Sequence, residues 1–183
     1  MHHRVVAIDG GIVNVGVCVL SNFECTRTLK TAIAPREPKT SADVCKCAGE
    51  WVAEHVDELG VLSLNTRLVI ESVQRPKIQA VGLSLAGAIS AIARLRGVAC
   101  PPIRFMHGVT KFGVTPECKA AVKQLKGKKN YNKRKILAQS AAISLCETQG
   151  WAVPQTRDEC DAVLLAVREW QTAWKTPLPD ENE

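Results

Sequence analysis

The stretch Arg4-Val5-Val6-Ala7-Ile8-Asp9-Gly10-Gly11 constrains this chain more than any other. Four apolar residues in succession predict a strand buried on both faces. A carboxylate stands where that strand ends, and two glycines follow. A half-buried acid at a sheet rim needs a partner. Asp-Gly-Gly alone is also ordinary hairpin-turn chemistry. The rest of the chain favours a site, because Glu71, Asp158 and Asp161 occur in similar settings.

Taken in order, residues 4–9 are the first predicted strand, 13–20 pair back as a hairpin, and 23–34 form a third. Gly16 is unusual inside a strand and suggests that another backbone, or a ligand, comes close. After the Pro35–Pro38 loop, Thr40 or Ser41 caps a helix to about Leu59, with His55 at its core edge. Arg67–Glu71 is a fourth strand that ends in an acid, as the first does. Pro76 interrupts the chain, and Gln79–Arg96 is a helix rich in small residues. Those residues suit either tight packing on the sheet or a helix–helix dimer contact. A fifth strand covers 103–106, a helix starts at Thr115-Pro116-Glu117 and breaks at Gly127, and 128–132 is a basic loop. The next helix covers Lys133–Glu147. Thr156 and Glu159 form a capping box for a last helix to Trp174. The order β-β-β-α-β-α-β-α-α-α predicts an α/β protein: a five-stranded mixed sheet, three strands antiparallel and then two parallel, flanked by helices.

At 183 residues the chain is expected to form one domain over 1–175, with a disordered acidic tail at 176–183. No apolar run looks long enough to span a membrane and no secretory signal is expected. Eight cysteines without a Cys-x-x-Cys pair are expected to be reduced, buried thiols of an intracellular reducing compartment. A half zinc site at Cys45 and Cys47 is a minor alternative. Eight basic residues and no acid lie between Lys119 and Lys135, and subtracting these eight from the net +6 leaves −2. A mildly acidic body with one basic arm points to a polyanionic partner.

Ligands of open α/β sheets gather at the carboxyl ends of parallel strands. If strands one and four are adjacent and parallel, Asp9 and Glu71 stand about 5 Å apart, one strand spacing. Asp158 and Asp161 share one face of the last helix. Four such acids repel one another unless cations intervene. Oxygen ligands favour Mg²⁺, with Mn²⁺ as substitute, and two ions about 4 Å apart suit phosphodiester hydrolysis. Glu159 is read as a cap and Glu117 as a helix-start acid, and Asp158 alone could serve the helix dipole.

These residues carry a resemblance. Ala7-Ile8-Asp9-Gly10-Gly11-Ile12-Val13-Asn14-Val15-Gly16 resembles the first motif of the RuvC-type Holliday junction resolvases. Val69-Ile70-Glu71-Ser72-Val73-Gln74-Arg75 resembles their second, and Asp158-x-x-Asp161-Ala162 their last acidic pair. Asn14, Gln74-Arg75-Pro76 and the Asn130–Lys135 segment look most like the viral, poxvirus-type branch. The resemblance spans about residues 4–174. It implies a ribonuclease H-like fold, a homodimer, two Mg²⁺ per active site and paired symmetric nicks across a four-way DNA junction. It also implies that Asp9, Glu71, Asp158 and Asp161 hold metal, and that Lys133 or Lys135 reaches the active site. Two departures stand out. Positions 72–79 lack the aromatic residue that bacterial members insert into the junction, and the arm at 119–129 has no counterpart in the viral branch.

DNA-contact candidates are Arg75, Lys77, Lys111, Lys123, Lys126, Lys128, Lys129, Tyr131 and Arg134; the tyrosine suits stacking on an unpaired base. A solvated charged face is the plainer reading of the arm. The same acids also suit another nuclease of this fold, acting on RNA–DNA hybrids or in strand transfer. A non-catalytic nucleic-acid-binding module would need the arm alone and bind with steep salt dependence.

Overall fold

The structure, a computed structural model, describes residues 3–34, 37–38, 40–108, 114–116, 118–120 and 130–174. Its five strands are β1 (Arg4–Gly10), β2 (Asn14–Ser21), β3 (Glu24–Ala32), β4 (Thr66–Ser72) and β5 (Ile103–His107). Among the described residues four helices accompany them: α1 (Ser41–His55), α2 (Pro76–Leu95), α3 (Tyr131–Thr148) and α4 (Arg157–Trp174). The sheet order is β3-β2-β1-β4-β5. β1–β2 and β2–β3 pair antiparallel, β1–β4 and β4–β5 parallel. This is the mixed sheet expected from the element order.

Strand alternation divides the core in two. Val5, Ala7, Cys18, Leu20, Val69 and Met106 face α3 and α4. Val6, Ile8, Val17, Val19, Leu68 and Ile70 face α1 and α2. Both faces being covered explains why β1 and β4 read as unbroken apolar runs rather than alternating ones. The hairpin between β2 and β3 turns at Asn22 and Phe23, with φ of 50° and 64°. Two successive positive φ values give the turn a twist that matches the strands. Phe23 is a poor residue for that backbone, and its ring packs against Trp151 and Trp170 at 5.4 and 5.6 Å.

Helix boundaries differ from expectation where local chemistry outweighs pattern. Thr40 caps α1 in a full capping box with Asp43, but regular helix ends at His55, and turns continue to Gly60 at φ 60°. His55 lies over Trp51, ring centroids 4.7 Å apart, at the core edge. Pro76 does not interrupt the chain. It opens α2 at the first helical position, where its missing N–H costs nothing. α3 begins at Tyr131, so Tyr131 and Asn132 are helical and not loop. Thr115 accepts a bond from the Cys118 amide at 3.2 Å and starts a helical turn; the expected break at Gly127, loop residues 128–129 and tail 176–183 lie outside the described residues.

α2 also corrects the membrane expectation. By length and composition its twenty residues could cross a bilayer, because Gly, Ser and Ala interrupt the apolar residues without adding charge. In the fold Val81, Leu85 and Ile89 are buried against the sheet and α1. Gly82 sits against the sheet, where a Cβ would stand at ordinary packing distance, 3.4 and 3.5 Å, from Ile70 and Phe105. Leu83, Gly87, Ser90 and Ala91 remain exposed. The small residues thus serve sheet packing on one side only.

All eight cysteines are among the described residues, and none is in a disulfide. Cys18, Cys25, Cys118, Cys146 and Cys160 are buried as expected, but Cys45 and Cys100 are exposed and Cys47 is half-buried.

Candidate active site

Asp9 ends β1 opposite Gly16 of β2. The parallel register aligns Ile8 with Ile70, so Asp9 and Glu71 are neighbours at the carboxyl ends of adjacent strands. Both follow the alternation of Ala7 and Val69, and therefore point to the α4 side. Asp9 is 8% exposed. The Glu71 carboxylate rests against Gly108, where a Cβ would stand 2.2 Å from Oε1. Gly108 leaves that carboxylate room.

α4 begins over the same rim. The reciprocal box at its start is present: the Thr156 amide donates to Glu159 at 2.7 Å, and the Glu159 amide to Thr156 Oγ1 at 3.3 Å. Glu159 is therefore a cap, as expected. One turn of helix then sets Asp158 and Asp161 toward the sheet. Gly16 makes this possible, because a Cβ there would lie 2.1 Å from the Asp158 carbonyl oxygen and 3.0 Å from its Cβ. The close backbone approach anticipated at Gly16 is that of α4. Asp161 is 3% exposed.

Two of the acids already have cations, which corrects the premise of four uncompensated charges. The Lys135 ammonium on α3 bonds Asp161 Oδ2. Lys30 on β3 stands 3.1 Å from Asp158 Oδ2. Lys30 pairs in register with Gly16, so β3, β2 and α4 meet at one point. Sequence reasoning gave Lys30 no role. The register of a third strand is needed to find it, and one basic residue in an ordinary strand carries no signal.

Of the two alternatives on α3, Lys135 reaches an acid of this rim, while Lys133 is exposed. Tyr131 is 51% exposed at the start of α3, and Arg134 is half-buried. Arg75 is exposed at the start of α2, and Lys77 pairs with Glu37 at 2.8 Å. Lys111, Lys123, Lys126, Lys128 and Lys129 lie outside the described residues. Beside Glu71 a pocket of about 210 Å³ is lined by Ser72, Gln79, Gly82, Leu83 and Phe105. Phe105, 42% exposed on β5, pairs with Ile70 and lines this pocket on the α2 face of the sheet, opposite the face to which Glu71 points.

The donors at this rim are carboxylates, a set that suits a hard divalent cation such as Mg²⁺. Among the described residues, no three His, Cys, Asp or Glu side chains stand close enough together to hold one ion as they are placed. The donor chemistry fits such a cation, although the side chains as placed form no such group.

No family model and no curated protein matches the sequence. Solved structures do match. Thermus thermophilus RuvC aligns over 93% of this chain and 94% of its own, with TM-score 0.59 and 15% identity. The T. thermophilus RuvC structure described as in complex with Holliday junction substrate aligns over 96% and 97%, with TM-score 0.58 and 15% identity. The yeast mitochondrial Holliday junction resolvase Ydc2 aligns over 94% of this chain and 82% of its own, with TM-score 0.55 and 12% identity. The chain has the RuvC-type, ribonuclease H-like fold over nearly its whole length.

Proposed function

We propose that this protein is a structure-selective DNA endonuclease that resolves four-way junctions by paired symmetric nicks. One observation carries the reading: Asp9 and Glu71 end adjacent parallel strands on the face over which α4 brings Asp158 and Asp161. The RuvC-type fold of the whole chain supports it. Asp9, Glu71, Asp158 and Asp161 are the residues that would hold Mg²⁺, or Mn²⁺ in its place, two ions per site. Bound there, the ions supply an activated water and stabilise the leaving 3′ oxygen. Lys135, held at the rim by Asp161, is placed to offset charge that builds up on the phosphate. The basic segment leading into α3 supplies non-specific phosphate contacts, and Tyr131 a stacking surface.

Paired nicks need two active sites, so the working unit is a homodimer acting within a single domain over 1–175. The motif resemblance favours a viral branch close to the poxvirus enzymes, with a part in recombination, repair or genome-concatemer processing. The compartment is then a reducing one, the host cytoplasm if the source is a virus. The test is a panel of labelled four-way junction, RNA–DNA hybrid and linear duplex, with and without Mg²⁺. Symmetric Mg²⁺-dependent nicks on the junction alone support the reading. Equal cutting of hybrid would make it another nuclease of this fold. Salt-sensitive binding without turnover on any substrate would reduce it to a binding module.

A further inference from the structure

We infer that Cys18 and Cys25 are a modification site inside the β2–β3 hairpin, where hydrogen peroxide closes a reversible disulfide. The register of the hairpin slips by one residue between Val19, opposite Arg27, and Leu20, opposite Cys25. Thr26 is the extra residue. It is exposed, and its hydroxyl donates to the Val19 carbonyl at 3.3 Å. A slip of one residue moves a side chain to the other face of a sheet. In an unbroken register Cys25 would stand opposite Ser21 and point to the α1 side, with Val17 and Val19. The bulge turns it to the α3 and α4 side instead, where its sulfur meets that of Cys18 at 3.7 Å.

Access and proton affinity divide the roles of the two thiols. Cys18 is fully buried, whereas Cys25, on an edge strand, is 7% exposed. Burial pushes the Cys18 thiol well up, and the hydrogen bond with Cys18 draws the Cys25 thiol down, so Cys25 supplies the thiolate. Its sulfur attacks one peroxide oxygen, the O–O bond breaks and hydroxide leaves, giving a sulfenic acid at Cys25. The Cys18 sulfur then attacks that of Cys25. The S–O bond breaks, and the departing hydroxide takes the Cys18 proton as water. Two thiols and one peroxide thus become one disulfide and two waters. The partners are diagonal across the strands rather than directly opposite, so the hairpin must yield to bridge them and the bridge is easily reduced. The competing account is a pair of inert thiols that only fill the core.

Trypsin releases both residues in one peptide, Val5–Arg27, because no Lys or Arg lies between. The native full chain is treated with hydrogen peroxide, its remaining thiols are alkylated in urea, and the digest is weighed. The expected peptide is two hydrogens lighter and carries no alkyl group, and dithiothreitol before alkylation restores both sites. Cys18→Ala is expected to stop at the sulfenic acid, trapped on Cys25 by dimedone. Cys25→Ser is expected to leave Cys18 reduced. Alkylation of both cysteines, under peroxide sufficient to oxidise the exposed Cys45 and Cys100, would overturn the inference. So would a bridge from either residue to Cys146 or Cys160 of the same core, or one that forms only when peroxide is added in urea.

Discussion

Gly16→Ala is the sharpest probe of how this site is assembled. The new Cβ would meet the Asp158 carbonyl oxygen at 2.1 Å and its carbonyl carbon at 2.3 Å. Ordinary contact begins near 3.4 Å, so the start of α4 must retreat by about 1.3 Å. Both atoms are backbone, so no flexible side chain can yield in their place. Overpacking of this kind costs about 1–3 kcal/mol, or a melting-temperature loss of about 2–12 °C at this chain length. The displacement carries Asp158 and Asp161 away from Asp9 and Glu71. A misplacement near 1 Å costs on the order of 100-fold in rate. The assay pairs urea unfolding with Mg²⁺-dependent junction cleavage, at a temperature where the variant is fully folded. Gly49→Ala is the control: its Cβ would meet nothing within 4 Å, and alanine suits the interior of α1. Parent-like stability and parent-like cleavage in Gly16→Ala would refute the packing of α4 on β2 at this point.

Three further predictions follow from separate parts of the fold. Glu169 is wholly buried on α4 and accepts from Arg67 at 2.7 Å and Arg104 at 3.0 Å, so Glu169→Gln should cost about 3 kcal/mol in urea unfolding. Lys135→Met should cut junction cleavage by at least about 10-fold, whereas Lys133→Met, at an exposed position, should only weaken junction binding at higher salt. Burial pushes the Cys160 thiol up to about 11 and Cys146 to about 12, so both stay neutral in the fold when an unfolded chain would ionise. The stability they hold is intact below their ordinary value of 9.0 and falls as the pH climbs toward 11–12. Thermal melts across that range should show the fall, and iodoacetamide near pH 8 should label Cys45 and Cys100 but neither buried thiol.

The strands and their order were legible because β1 and β4 pair an unbroken apolar run with a terminal acid, and little else in the chain does. The parallel neighbours Asp9 and Glu71 followed from that pattern. Gly16 was legible as a place of close approach, but not as the seat of α4. α4 itself hid its depth. Val163, Val167, Trp170 and Trp174 marked one core face of it, but residues Glu159 to Val167 are all buried, so that stripe understated how much of the helix is covered. Lys30 was invisible because its meaning depends on the register of three strands and one helix. Phe105 was missed for a similar reason: it neighbours Ile70 across β4–β5, thirty-five positions on in sequence. Single-residue markers such as Pro76 were read through local rules, and the first-turn position of that proline reversed the expectation.

The central claim is that carboxylates from β1, β4 and α4 form one metal-dependent cutting centre. Asp9→Asn tests it most directly, because the amide keeps the size and removes the charge at the rim's most constrained strand end. Gel-shift and cleavage of a labelled four-way junction should be measured side by side in Mg²⁺. Parent-like junction binding with cleavage reduced by at least about 1,000-fold is the predicted result. Full cleavage by Asp9→Asn in Mg²⁺ would contradict the account.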